Sequence, residues 1–150
     1  MALYMRAVIG SWPNPPFADL VSFVGEQGDG LVVVSTDDAG WPDFQVHDAD
    51  GATVLAADLT LGEDVREELS ELVEFLDDHD GLPTARATVE SHLASATAVV
   101  GLQILPSRYD ESVGAANQVI TFLERWPGVL TQVDSVGWYD GDQLILPERG

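Results

Sequence analysis

The residues of this chain that could do chemistry are concentrated in one acidic run. Between residues 63 and 80 stand Glu63, Asp64, Glu67, Glu68, Glu71, Glu74, Asp77, Asp78 and Asp80, opposed within the run by Arg66 alone. Glu63, Glu67 and Glu71 follow at four-residue spacing, so on a helix they form a like-charged stripe in which each neighbouring pair costs about 0.2–0.5 kcal/mol. Burial of the helix's apolar face can offset that cost, as can bound cations or a basic protein lying along the stripe. Such carboxylates suit electrostatic docking, and Glu63, Glu67, Glu71, Glu74 and Asp78 are the residues expected to contact a basic partner. The segment Trp12-Pro13-Asn14-Pro15-Pro16-Phe17 supplies a second contact, Trp12, because an indole beside prolines offers apolar area at low entropic cost. The same segment would serve equally well to cover the end of a sheet.

The remaining reactive side chains make no convergent motif. His79 lies in Asp77-Asp78-His79-Asp80, where it reads as an imidazole meeting the negative end of a helix dipole. His47 and Asp48 are neighbours, which on a strand sends them to opposite faces. His92 has Ser91 and Ser95 nearby, but no Gly-x-Ser-x-Gly elbow exists to raise a nucleophile. The glycines of Gly25-Glu26-Gln27-Gly28-Asp29-Gly30 follow a helix and carry acids where phosphate would sit, so this is a turn and not a phosphate loop. Asp48-Ala49-Asp50-Gly51 lacks the later ligands of a calcium loop and is a hairpin turn. No catalytic residue, cofactor or metal site is expected.

The charge balance extends the acidic theme to the whole chain. There are 26 acids against 6 arginines, with no lysine and a formal net charge of −20. Phosphate binding requires cationic groups that displace counterions, so nucleic acid and anionic membranes are excluded as direct partners. Cysteine is absent, which excludes disulfides and thiolate metal sites and favours a reducing compartment. The start of the sequence reads neither as a signal peptide nor as a membrane span, and a cytoplasmic location is expected.

The elements that must position these residues read as follows. Residues 3–11 form a strand. Pro15-Pro16 introduces a helix with Phe17, Leu20, Val21 and Val24 inward. Leu31 to Ser35, Phe44 to His47 and Thr53 to Ala57 are strands. Thr60 and Glu63 form a capping box for a helix whose Val65, Leu69, Leu72, Val73 and Leu76 make one apolar stripe, ending at Gly81. Residues 86–104 read as one or two strands. A helix spans about residues 110–126, and Val129 to Val133, Val136 to Tyr139 and Gln143 to Leu146 are strands.

The two ends of the chain look alike. Leu20-Val21-Ser22-Phe23-Val24 resembles Val119-Ile120-Thr121-Phe122-Leu123, and each is followed by a turn, a strand, a Gly-Trp pair (Gly40-Trp41, Gly137-Trp138) and an Asp-Gly hairpin. The expected fold is α+β: two similar β-α-β-β-(β) halves, residues 3–58 and 86–147, forming one antiparallel or mixed sheet with helices packed on one face. An amphipathic acidic helix, residues 61–80, bridges them within a single domain of residues 1–150. In element order this plan resembles the vicinal-oxygen-chelate, glyoxalase-like proteins, whose metal is held by His, Glu or Gln side chains. Here only Gln103 and Glu148 stand in comparable places, so the resemblance implies a metal-free ligand-binding relative. The plan is also similar to small-molecule sensor domains of the gyrase-inhibitor type. Two functions are expected on these grounds. The first is a non-enzymatic interaction module, such as an inhibitor, immunity-type or accessory factor, that binds a basic protein. The alternative is a small-molecule-binding domain or enzyme with a pocket between the halves. An unpaired edge strand would also allow a homodimer.

Overall fold

The structure is a computed structural model that describes residues 3–149. Its elements are β1 (Leu3–Ile9), α1 (Phe17–Gly25), β2 (Val32–Ser35), β3 (Asp43–His47), β4 (Thr53–Leu61), α2 (Glu63–Phe75), α3 (Pro83–Ser95), β5 (Ala98–Ile104), α4 (Tyr109–Leu123), β6 (Val129–Val133), β7 (Gly137–Asp140) and β8 (Gln143–Pro147). Among the described residues the strands form one eight-stranded sheet in the order β2-β3-β4-β5-β1-β6-β7-β8. Every neighbouring pair is antiparallel, and the chain is of the α+β class.

Sequence explains why β1 and β5 take the centre. They pair from Leu3↔Ile104 to Ile9↔Ala98, and over residues 7–9 and 98–100 both are apolar on both faces. Met5, Ala7 and Ile9, with Ala98, Val100, Leu102 and Ile104, enter one core, while Val8 and Val99 enter a second on the other side. A fully buried aliphatic side chain contributes about 1.5–3 kcal/mol only if something covers it. Helices α1 and α4 cover the first face with Leu20, Val24, Val119, Phe122 and Leu123. Helices α2 and α3 cover the second with Val65, Leu69, Leu72, Val89 and Leu93.

Several sequence expectations are corrected by this arrangement. The helices lie on both faces and not on one, because the central strands carry apolar residues on both sides. Residues 83–95 are helical and not strand: Pro83 opens α3, whose fully buried apolar residues are Val89 and Leu93, too few to declare a helical period. The capping box does not form. Thr60 and Leu61 are held in the β4 ladder opposite Val99 and Ala98, and the chain turns into α2 through Gly62 at φ 69°, with no side-chain cap. Val73 also leaves the predicted stripe and stays 43% exposed.

The order β-α-β-β-β does recur, as β1-α1-β2-β3-β4 and β5-α4-β6-β7-β8. The two meanders are wound oppositely, however: β2-β3-β4 runs from the sheet edge inward to β5, and β6-β7-β8 runs from β1 outward to the other edge. The two Gly-Trp pairs likewise enter different cores. Trp41 packs under α1 and α4, and Trp138 packs under α2 and α3.

Candidate functional site

Helix α2 rests Val65, Leu69 and Leu72 on the sheet and turns one shoulder toward strands β1 and β6. Asp64, Glu67, Glu68, Glu71, Leu72 and Phe75 on that shoulder face Arg6, Gln132 and Asp134 across a groove of about 500 Å³. Strand alternation sets this up. Met5 and Ala7 go to the opposite core, so Arg6 must project toward α2, where it stands in register with Gln132.

The Arg6 guanidinium is already engaged with this lining. Its Nη1 donates to Gln132 Oε1 at 2.6 Å and to Asp134 Oδ1 at 2.8 Å. Its Nε lies 3.6 Å from Glu68 Oε1, and its Cζ sits 5.2 Å from the Tyr4 ring centre. Asp134 also accepts from the Tyr4 backbone N–H at 2.9 Å and from Gln132 Nε2 at 3.0 Å. Burial by itself would raise the Asp134 pKa, but the bonds from Gln132, the Tyr4 amide and Arg6 outweigh it and hold this carboxyl below its ordinary value. Glu68 goes the other way. Burial pushes it up, Arg6 only partly opposes that, and the nearby Asp58 adds to it. Five carboxylates thus line the groove with a single guanidinium, which pairs with Asp134 and Glu68.

The acidic surface continues along the open part of the same sheet face, where Tyr4, Asp43, Asp58, Gly101 and Gln103 border a shallower cavity of about 310 Å³. A Cβ at position 101 would stand 2.7 Å from Asp58 Oδ1, so its absence leaves room for that carboxylate over β5. Burial and the facing Asp43 raise Asp58 in turn.

No family model, curated protein or solved structure matches the chain. Chemistry must therefore be argued from the groove itself.

Of the residues expected to contact a partner, Glu67 and Glu71 line the groove. Glu63, Glu74 and Asp78 are exposed along α2 and the turn after it, outside the groove lining. Trp12 lies elsewhere. It packs edge-on against Trp41 at 5.2 Å between ring centres, joins the core on the α1–α4 side, and its backbone N–H donates to Thr97 Oγ1 at 3.1 Å. Sequence reading missed Arg6, Asp64, Glu68, Gln132 and Asp134. One signal was present: Arg6 is the lone charge in the apolar strand Leu3–Ile9.

The histidines do other work. His79 is buried, its Nδ1 is 3.0 Å from the Phe75 carbonyl, and its ring stacks edge-on against Phe75. The expected helix-end setting holds, but the ring is not solvated. His92 Nε2 meets the Val8 carbonyl at 2.7 Å, and His47 Nε2 meets Gln45 Oε1 at 2.9 Å. Among the described residues no three His, Asp or Glu side chains are grouped to hold a metal ion. Gln103 and Glu148 are separated: Gln103 pairs with Tyr4 and Ala56, and Glu148 bonds Ser135 N and bridges His79.

The groove also sets an expected pH dependence. Glu68 and Asp58 have raised folded-state pKa values, so their contribution to stability is present below the ordinary carboxylate range and lost as pH rises through the folded values. Asp134 is lowered, and its contribution persists until pH falls below its ordinary range. Thermal stability measured by calorimetry is expected to rise as pH falls from neutrality toward the ordinary carboxylate range. The double substitution Asp58→Asn, Glu68→Gln should flatten that rise, and an unchanged slope would remove these two carboxylates from its cause.

Proposed function

We propose that the chain is a cytoplasmic, non-enzymatic docking module that binds a basic protein, in the manner of an inhibitor, immunity-type or accessory factor. One observation carries the reading: the groove beside α2 is lined by five carboxylates and a single arginine that is already bonded to Gln132 and Asp134. An arginine or lysine side chain entering between Glu67 and Glu71 would relieve the like-charge repulsion along α2 and the excess charge around Glu68. The wider negative field would speed its approach. That no helix among the described residues is long and apolar enough to cross a membrane agrees with a partner met off the bilayer.

The test must separate a site from diffuse charge. A nona-arginine peptide serves as probe, with affinity read by fluorescence anisotropy at low salt and at about 0.3 M salt, where the Debye length shrinks to several ångströms. The triple reversal Glu67→Lys, Glu71→Lys, Glu74→Lys is expected to weaken binding at least about tenfold. Reversing the exposed Asp19, Glu26 and Asp110 to lysine makes the same change in net charge on the α1–α4 side, and it should weaken binding far less. Equal losses in the two triples would refute a site at α2.

Duplication of residues 3–58 and 86–147 rests on element order, and the opposite winding of the two meanders argues against equating residues across the halves. A homodimer would form most readily through the edge strand β2, where Val32 and Val34 remain 51% and 38% exposed.

A further inference from the structure

A second cavity lies on the opposite face of the sheet, between α4 and strands β1, β5 and β6, with the β7–β8 turn at one end. It holds about 370 Å³, within the range of small-molecule sites. Its floor is built from Met5, Ile104, Ile120 and Thr131, each at most 6% exposed. Strand alternation explains the composition: Met5 and Thr131 project to this face because Arg6 and Gln132 project to the other. Thr131 is 4% exposed and lines the cavity, so one hydroxyl-bearing side chain stands in an otherwise apolar floor.

The mouth of the cavity is acidic. Glu124 at the end of α4 and Asp142 in the turn both border it, and the Glu124 carboxylate comes so near the turn that a Cβ at Gly141 would lie 4.0 Å from its Oε2. Burial, then Asp142 and Asp140, push the Glu124 pKa up. Among the described residues nothing cationic answers these acids. Arg6, Arg86, Arg108 and Arg149 pair with other carboxylates. Arg66 donates to the Ala96 carbonyl, and Arg125 lies over the Phe23 and Phe122 rings. The sequence contains no lysine.

We propose that this cavity binds a small organic cation, an apolar chain or ring ending in an ammonium group. The apolar body lies against Met5, Ile104 and Ile120, and the ammonium sits at the mouth between Glu124 and Asp142. A guest of about ten non-hydrogen atoms suits the volume. The apolar floor selects against strongly hydrated inorganic cations, and the acidic mouth selects against carboxylates and neutral analogues. This site is separate from the groove beside α2 and does not rest on the docking function.

Three isosteric probes test it: phenylbutylamine, phenylbutanol and phenylbutyrate, titrated by calorimetry against the full chain. The amine is expected to bind at least about tenfold more tightly than the alcohol, with the carboxylate weaker still. Glu124→Gln should reduce amine affinity about tenfold and leave the alcohol unchanged. Val113→Trp, a half-buried position on the wall, should fill the cavity and abolish both. The triple reversal on α2 should retain amine binding, which separates this site from the groove and from general attraction to an acidic protein. Equal affinity for amine and alcohol, or amine binding indifferent to Glu124→Gln and Val113→Trp, would overturn the proposal. Unchanged circular dichroism of each variant establishes that a lost affinity is not lost folding.

Discussion

Replacing Arg6 by leucine is expected to lower the free energy of unfolding at neutral pH by about 3 kcal/mol. The side chain is only 21% exposed and is the one cation among the groove residues. Its removal strips a 2.8 Å charge-assisted bond from Asp134 and a 2.6 Å bond from Gln132, which is itself 1% exposed. Leaving one partner of such a network uncompensated costs far more than the pair contributes net. Glu68, already raised by burial, would lose its nearest positive charge. The leucine variant should therefore be least stable at neutral pH and recover as pH falls and these carboxyls take up protons. Adding Glu68→Gln should restore part of the loss. Urea unfolding at two pH values checks this, and a cost below about 0.5 kcal/mol would show that water compensates Asp134 without Arg6. The same substitution connects stability to function. With Arg6 gone the groove is more negative, so the surviving folded protein should bind the arginine peptide more tightly while being easier to unfold.

How much of this was legible in the sequence depends on how local each determinant is. The acidic helix was readable because Val65, Leu69, Leu72 and Leu76 repeat with helical spacing and stay buried. The hairpin strands were readable from alternation and from Asp-Gly turns. Helix α3 was not, since Val89 and Leu93 alone anchor it and its polar residues blur the period. Two-sided covering of the sheet left a trace that was read too narrowly. The run Ala98-Val99-Val100-Gly101-Leu102 is apolar without alternation, as a strand buried on both faces must be. The groove was half legible: the acids of α2 are plain, but which of them face inward depends on Arg6, Gln132 and Asp134. Those three meet across 126 and 128 residues of chain, and no local spacing encodes such a meeting. The small-cation cavity depends in the same way on the parity of β1 and β6, which the pairing of Arg6 with Gln132 fixes.

Gly137→Ala is expected to cost about 4 kcal/mol, from left-handed backbone strain plus overpacking, whereas Gly40→Ala should cost about 1 kcal/mol. Both glycines precede a buried tryptophan and both have positive φ, 135° and 72°. Their surroundings differ. A Cβ at Gly40 would find its nearest atoms at 3.7 Å, on Phe17, whereas a Cβ at Gly137 would stand 2.3 Å from the Leu146 carbonyl oxygen and 2.8 Å from Pro147 Cα. Those are backbone atoms of the paired strand, so no rotamer change relieves the clash and β8 must move away. Leu146 and Trp138, each 1% exposed, would lose their packing. So would the tie between β8 and the end of α2, made by Asp80 N–H to the Pro147 carbonyl and Arg149 N–H to the Asp78 carbonyl. Urea unfolding of the two variants measures the difference, and a red shift of tryptophan emission before the main transition would report β8 detaching first. Equal costs would mean that backbone dihedral strain alone governs both sites. A large difference would mean that two Gly-Trp pairs alike in sequence meet different demands, one a turn with room beside it and the other a crossing of two backbones that only glycine permits.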